Sequence, residues 1–169
     1  MKILHLGYSD KSGGASIGMM RLHNSLIDQG IDSTVLVSEK LTNLRSVQGP
    51  STSLEKMISE IKIILSRQKK YLYNFDGKYS HSLNIFSSNT IEKIKKIKPD
   101  LVNLHWINNE LISIKEISKI KMPIVWTFHD MWPMCGGEHY SDSNRYKLGY
   151  DQVSKDNNER GIDLNLLIF

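Results

Sequence analysis

The amino-acid sequence predicts an α/β fold in which helices flank a parallel sheet. Short, mostly apolar strands alternate with amphipathic helices, and a glycine-rich turn joins the first strand to the first helix. Strands buried on both faces are apolar throughout, and strand–helix alternation is typical of βαβ units. With 169 residues, 40% of them hydrophobic and 24% charged, the chain has the size and composition of about one globular domain.

The predicted elements follow one another from the N-terminus. A strand at residues 2–8 leads into the turn SDKSGGAS. Apolar residues recur at i, i+4, i+7 and i+11 on one face of the next helix, at Ala15, Met19, Leu22 and Leu26. Gly30 stands where a glycine is expected to end that helix. The remaining elements are a strand at 33–38, an amphipathic helix at 54–65, a basic helix at 91–98, a strand at 100–106, a helix at 111–117 and a strand at 123–128.

Composition excludes several classes of protein. The single cysteine, Cys135, excludes an internal disulfide framework and any multi-cysteine zinc module. The apolar runs are far shorter than the roughly 20 residues that span a membrane, and the N-terminus lacks the long apolar segment of a signal peptide. The net charge of +4 is modest and fits anionic ligands, anionic lipid or nucleic acid equally well. Charge therefore names no partner.

A change in polarity divides the chain into two parts. Residues 1–140 contain all the alternating elements and are expected to form one Rossmann-like domain. Residues 141–169 begin as a polar loop and end in the apolar stretch IDLNLLIF. This second part is expected to be the start of a further element that the chain end cuts off.

Three features come directly after predicted parallel strands. They are the turn at residues 12–16, the pair His105-Trp106, and the pair His129-Asp130. Open α/β sheets bind ligands outside the carboxyl ends of their strands, where these features would meet. The sequence therefore predicts a ligand site on this rim of the sheet.

The glycine turn has two interpretations. Paired glycines before a helix, Gly13 and Gly14, let the backbone approach a phosphate whose charge the helix N-terminus favours. A tight turn without a ligand is the alternative. The dinucleotide fingerprint G-x-G-x-x-G fails because Ala15 stands at its second glycine, and a Walker loop fails because Lys11 precedes the glycines.

The segment around His129 is the second source of candidate chemistry. Its imidazole could be oriented by a charge, contact a ligand or bind a metal. Asp130 points away from its neighbour in an extended strand, which argues against a direct catalytic pair. Cys135, Glu138 and His139 show no recognised ligand spacing, so no metal site is predicted. Trp132, beside a proline in a loop, could stack on a sugar.

Four stretches carry a resemblance to a known family: MKILHLGYSDKSGGAS, MMRLHNSLIDQGIDSTVLV, PDLVNLHWIN and PIVWTFHDMWPMCGGEHYSD. Together they resemble the N-terminal half of bacterial family-four glycosyltransferases of the polysaccharide and colanic-acid type. The resemblance implies a GT-B fold, in which two Rossmann-like domains face each other across a cleft and no metal or other cofactor is needed. It also implies retaining transfer of a sugar from a nucleotide-sugar donor to a glycan or lipid-linked acceptor.

The resemblance assigns roles to individual residues. Gly13 and Gly14 match the turn that approaches the donor diphosphate, and His129 matches the histidine near the reaction centre, which is the catalytic candidate. The expected contacts to acceptor or sugar are His105, Trp106, Asp130, Trp132, Gly136 and Gly137. The expected partners are the two substrates and a C-terminal glycosyltransferase half, without nucleic acid. The expected location is cytoplasmic, with peripheral contact at the inner membrane face.

The sequence departs from the family pattern at two points, and these departures bear on whether the chain is active alone. Glu138 stands where a cysteine is common, and the C-terminal domain with its Glu-x7-Glu motif is absent from these 169 residues. We therefore expect a truncated chain that is inactive alone. The alternative is a non-catalytic glycan-binding or scaffold module. A nicotinamide-cofactor protein, with Glu39 as the ribose contact, is a third hypothesis that the mismatch at Ala15 disfavours.

Overall fold

The computed structural model describes residues 1–69, 80–135, 137–142 and 147. Its strands are β1 (Lys2–Ser9), β2 (Asp32–Glu39), β3 (Val47–Gln48), β4 (Leu101–Leu104) and β5 (Ile124–Trp126). Its helices are α1 (Gly14–Asp28), α2 (Ser53–Lys69), α3 (Thr90–Ile97) and α4 (Ile114–Ile117), followed by a 3₁₀ turn at Trp132–Met134. Within the described residues the strands form one sheet in the order β3-β2-β1-β4-β5, with every pairing parallel. The predicted Rossmann-like α/β fold is confirmed.

The strand order places a switch point beside the central strand. From β1 the chain winds through α1 to β2 and β3 on one side, and it then returns to β4 and β5 on the other side. Crossovers therefore leave β1 and β4 in opposite directions, which opens a crevice at their carboxyl ends. The end of β1 and the residues after β4 both border this crevice.

The two faces of the sheet are packed differently. On one face, Leu4, Leu6 and Leu104 pack with the isoleucines of α3 in the larger buried cluster. On the other face, Met19 of α1 packs over Val35 and other β-branched residues. Alternation along β1 turns its leucines toward the first face, so His5 and Gly7 lie on the α1 face.

Gly7 leaves room for the buried end of the Met19 side chain, which extends from α1 onto the sheet. A Cβ at this position would lie 2.7 Å from Sδ of Met19, which is itself fully buried. Gly30 has a φ of 74°, and its N–H bonds to Ile27 O at the end of α1. The predicted glycine at the helix end is therefore confirmed.

Two local features differ from the sequence prediction. The short strand β3 lies in the polar stretch 41–52, where the sequence shows no alternation, and it pairs with β2 through Val35 and Val47. The helix predicted at 111–117 shortens to α4, because Ser113 caps its start and forms a capping box with Glu116. Leu111 is buried in the turn before the cap.

Helix α2 exposes its apolar side. Six large apolar side chains along it are between 43% and 60% exposed: Leu54, Met57, Ile58, Ile61, Ile64 and Leu65. Its inward side is polar instead, because Glu55 pairs with Lys93 of α3 and Ser66 donates a hydrogen bond to Glu110. This apolar face of α2 has no packing partner in the buried clusters of the described residues.

Some predicted features fall outside the described residues. They are the apolar stretch at 162–169, most of the proposed second part at 141–169, and Gly136. Among the helices that the structure does describe, none is long and apolar enough to cross a membrane.

Candidate active site

A cavity of 490 Å³ opens at the carboxyl ends of β1 and β4. Its walls come from the end of β1, the glycine turn, the first turn of α1 and the residues after β4 and β5. Six predicted site residues line it: Gly13, Gly14, His105, Trp106, His129 and Asp130. The structure therefore brings the three rim features together at the switch point of the sheet.

The glycine turn ends in a helix N-terminus that carries no side-chain cap. Gly13 precedes α1 with a φ of 86°, and no acidic residue stands in the first turn. Ile17 N–H donates to Gly13 O across the first turn of α1, and the N–H groups that precede Ile17 have no partner within the helix. A Cβ built on Gly13 or Gly14 would meet no atom within 4 Å. Open space beside free N–H groups and a positive helix end is an anion-binding geometry.

Three imidazoles form a hydrogen-bonded chain from the interior of the sheet to this cavity. His5 Nδ1 lies 3.1 Å from His105 Nε2, and His105 Nδ1 lies 3.0 Å from His129 Nε2. The rings of His105 and His129 stack at 5.3 Å. Because His129 lines the cavity while His5 is fully buried, the chain connects the core with the site.

Burial keeps the inner histidines neutral. Burial, together with a smaller effect of the neighbouring imidazoles, lowers the pKa of His5 to about 4 and that of His105 to about 3. Burial also lowers the pKa of His129, although the Asp130 carboxylate opposes that shift. All three imidazoles are therefore uncharged near neutral pH.

Asp130 is the centre of a second polar cluster. Its Oδ2 accepts a hydrogen bond of 2.8 Å from Trp106 Nε1 and lies 2.5 Å from His139 Nδ1, and its Oδ1 accepts one from the N–H of Trp132. Burial raises the pKa of Asp130, but the hydrogen bonds outweigh burial and leave the pKa below its usual value. His139 and Trp106 also stack at 5.5 Å. An ionised Asp130 thus fixes one wall of the cavity.

Two predicted contacts do not lie on the cavity. Trp132 is 3% exposed and packs in the larger core cluster, and its Nε1 donates to Ser82 O. The expectation that Trp132 stacks on a sugar from a loop does not fit this position, because the 3₁₀ turn folds its ring inward. Gly137 has a φ of 97°, and its carbonyl accepts a hydrogen bond from Ser82 N–H. Gly137 therefore joins its own loop to the segment around Ser82.

Three residues outside the predicted set support the site or the loops around it. His139 holds Asp130, and His5 starts the histidine chain. Asp10, at the end of β1, accepts hydrogen bonds from the N–H groups of Leu41 and Thr42 and so holds the loop after β2. For His5, the sequence contains one indication of a special role, because a polar residue stands within an otherwise apolar strand. The partners of all three depend on long-range contacts that the sequence pattern does not contain.

The described residues contain no group of three or more His, Cys, Asp or Glu side chains arranged to hold a metal ion. Each imidazole nitrogen that faces another in the histidine chain is used for a hydrogen bond. Within the described residues, the polar lining of the cavity includes the backbone of the glycine turn, the imidazoles of His105 and His129, the Asp130 carboxylate and several hydroxyl groups, among them those of Ser16 and Tyr140.

Fold and site together define a Rossmann-like α/β domain with an anion-compatible cavity at its switch point. The sequence model of the family described as Glycosyltransferase Family 4 matches residues 12–156. The chain belongs to this family, and its domain is of the glycosyltransferase type. The resemblance to family-four glycosyltransferases is thereby confirmed at the level of the family. No curated protein and no solved structure matches the chain.

Proposed function

We propose that the chain is the acceptor-side portion of a bacterial retaining glycosyltransferase that acts in surface polysaccharide biosynthesis. It would transfer a sugar from a nucleotide-sugar donor to a glycan or lipid-linked acceptor. Family membership supports glycosyl transfer in general. The observation that carries the proposal is that the uncapped N-terminus of α1 and the ring of His129 open into one cavity.

The cavity suggests a role for each group. The N–H groups after Gly13 and Gly14 would bind the donor diphosphate, and His129 would contact the donor sugar at the reacting end. The bond from the anomeric carbon to the diphosphate breaks, a new bond forms to an acceptor hydroxyl oxygen, and the proton of that hydroxyl passes to the departing diphosphate. Trp106 and Asp130 would form the wall against sugar or acceptor. The donor is a substrate, and no metal or further cofactor is included in the proposal.

The charge of the cavity supports a requirement for a further domain. Within the described residues, no Lys or Arg lines the cavity. A helix N-terminus supplies only about half an elementary charge, whereas a leaving diphosphate carries more than one. Stabilising that leaving group is usually the largest catalytic effect. We therefore propose that turnover requires a C-terminal glycosyltransferase half and that this chain alone is inactive.

A transfer assay tests the proposed reaction. The chain would be incubated with a panel of nucleotide sugars and a lipid-linked acceptor, with and without a C-terminal half supplied in trans. We expect product only when both halves are present. Glycan binding without transfer in either condition would instead favour the non-catalytic binding or scaffold module.

A binding experiment tests the anion site separately. Gly14→Asp places a negative charge in the first turn of α1, where a side chain meets no atom within 4 Å. Because an acidic residue there stabilises the helix, the variant should fold at least as well and yet lose nucleoside diphosphate binding by calorimetry. Asn24→Asp, at an exposed position in the C-terminal part of α1, is the matched control and should bind as the wild type does. Equal binding by all three proteins would overturn the assignment of the α1 N-terminus.

We further propose that the protein works at the cytoplasmic face of the inner membrane. The surface of α2 supports contact with the membrane, because this helix combines an exposed apolar face with the exposed basic residues Lys56 and Arg67. An exposed apolar stripe with basic residues is the pattern of helices that lie in an anionic lipid interface. The basic helix α3, with Lys95 and Lys96 in its last turn, adds positive charge.

Vesicle sedimentation tests this contact. The wild type should sediment with vesicles that contain anionic lipid and less with zwitterionic vesicles. Ile61→Asp, in the centre of the apolar face of α2, should lose sedimentation. Leu22→Asp changes a comparably exposed leucine on α1 and should leave it unchanged. Self-association that Ile61→Asp abolishes, without vesicle binding, would assign the face to a second copy of the chain.

A further inference from the structure

The histidine chain restricts how protons are arranged on its members. His105 is 4% exposed and uses both ring nitrogens, one toward His5 and one toward His129. A neutral imidazole has one N–H donor and one acceptor nitrogen. If His105 donates to one neighbour it must accept from the other, so the whole chain has only two consistent directions.

The buried end of the chain favours one direction. Nε2 of His5 is buried and has no hydrogen-bond partner among the described residues. In one direction this atom would carry a hydrogen that nothing accepts, and in the other it is a bare lone pair. Buried N–H groups without an acceptor are rarer than acceptors without a donor. The favoured direction thus puts the proton of His5 on Nδ1, so that His5 donates to His105 and His105 donates from its own Nδ1 to Nε2 of His129.

This direction fixes the atom that His129 presents to the cavity. Its Nε2 is occupied as an acceptor, so the proton of the neutral ring must sit on Nδ1. Within the described part of the chain, the hydrogen bond of the His129 ring is the one at Nε2, which leaves Nδ1 without a protein partner. Since His129 lines the cavity, Nδ1 is the ring nitrogen left for a ligand.

We propose that His105, fixed in turn by His5, is a positioning residue that holds His129 as the neutral Nδ1–H tautomer, so that His129 acts as a hydrogen-bond donor to an oxygen of the ligand. The proposal rests on the proposed function only for the nature of that ligand, a sugar or phosphate oxygen. An acceptor nitrogen at this place would instead suit a ligand hydroxyl that must donate. The histidine chain therefore sets which ligand groups the cavity can recognise.

Nuclear magnetic resonance of the full chain labelled with ¹⁵N-histidine tests this directly. Long-range nitrogen–proton spectra at neutral pH distinguish an Nδ1–H ring from an Nε2–H ring. We expect His129 of the wild type to be in the Nδ1–H form. An Nε2–H form of His129 would overturn the proposal without the need for any variant.

Variants then test the role of the positioning residue. His105→Phe removes both hydrogen bonds, and His129 should lose the Nδ1–H form in favour of the Nε2–H form that an unconstrained histidine prefers. His105→Asn retains an amide donor near the position of Nδ1 and should keep the Nδ1–H form. His5→Leu should give a mixture of the two forms. Retention of the Nδ1–H form in His105→Phe would show that His105 does not hold it.

His23→Gln is the matched control. His23 is as buried as His5 and packs edge-on against its ring, but the His23 nitrogens hydrogen-bond to Ser33 and Ser46 and not to the histidine chain. Its replacement should leave the tautomer of His129 unchanged, which separates positioning from general loosening of the fold. An Nδ1–H His129 in a protein that binds no nucleotide sugar would overturn the proposed function alone. An Nε2–H His129 in a protein that does bind it would overturn the positioning role alone.

Discussion

His139 Nδ1 lies 2.5 Å from Asp130 Oδ2, and this pair links the loop after β5 to the edge of the cavity. Asp130 holds Trp106 by the same oxygen, and His139 stacks on that indole. The second ring nitrogen of His139 lies 2.8 Å from Ser82 Oγ. One carboxylate thus positions the indole of Trp106, which follows β4, from the loop after β5, 24 residues further along the chain.

Asp130→Asn tests the strength of this cluster. The carboxylate accepts three hydrogen bonds with little exposure, and hydrogen bonds to charged groups contribute about 1.5–3 kcal/mol each in such surroundings. We expect the free energy of unfolding in urea to fall by about 2 kcal/mol. The pKa of Asp130 is lowered in the folded state, so its stabilisation is present above the unfolded pKa of about 3.9 and is lost as pH falls further.

The difference between Asp130→Asn and wild type should therefore shrink at acidic pH. Asp28→Asn, at the exposed end of α1, is the control and should change stability little. A constant difference from pH 7 to pH 3 would show that the charge of Asp130 is not what stabilises the cluster.

Gly7→Ala tests the close approach of α1 to the sheet. The new Cβ would lie 2.7 Å from Sδ of the fully buried Met19, so the helix or the methionine must move. Overpacking of this kind costs about 1–3 kcal/mol, measured as the free energy of unfolding. Met19→Ala in the same chain should relieve the clash, so a double-mutant cycle should show favourable coupling. Gly14→Ala meets no atom and should not destabilise; equal losses at both glycines would contradict the packing argument.

Most of the fold could be predicted because each long element carries its own pattern. The apolar run of β1 and the isoleucine spacing of α3 both gave the correct element within two residues. β3 could not be predicted, since two residues contain no period and only the pairing of Val47 with Val35 makes them a strand. The start of α4 depends on a capping box that shortens the predicted helix.

The candidate site could be predicted only in part. Its location follows from the rule that parallel strands end at one rim, and Gly13, His105 and His129 all lie there. The hydrogen-bond partners could not be predicted, because they depend on sheet register and on loop conformation. His5 pairs in register with Asn103 rather than with His105, so the histidine chain arises from side-chain direction that no sequence spacing specifies.

Glu110→Gln should not destabilise the protein at neutral pH. Glu110 is 3% exposed and accepts hydrogen bonds from Ser66 Oγ and Phe86 N–H, yet burial dominates and raises its pKa. A raised folded pKa means that stability is lost as pH rises from the unfolded pKa of about 4.3 through the folded value. Glutamine cannot ionise and keeps a carbonyl acceptor for Phe86 N–H.

We therefore expect Glu110→Gln to equal or exceed the wild type in free energy of unfolding at pH 7, with the difference vanishing below about pH 4. Glu110→Ala removes the acceptor and should cost about 1–3 kcal/mol, because Phe86 N–H loses its bond. A glutamine variant as unstable as the alanine variant at pH 7 would show that the charged form of Glu110 is needed.

The inner histidines should make the protein sensitive to mild acid. The folded pKa is about 4 for His5 and about 3 for His105, whereas an unfolded histidine titrates near about 6.5. The unfolded chain thus binds more protons below that value, and stability falls as pH drops from about 6.5 toward the folded values. Each histidine contributes up to about 1.4 kcal/mol per pH unit. Urea unfolding of the wild type and His5→Leu at pH 7, 6 and 5 measures this, and the leucine variant should show the shallower slope. Met19→Leu, which changes a residue packed on the same face of the sheet, is the control and should lose the same free energy of unfolding at each pH. If the free energy of unfolding of wild type and of His5→Leu depended on pH in the same way, the protons would be taken up by other groups, and the prediction for His5 would be wrong.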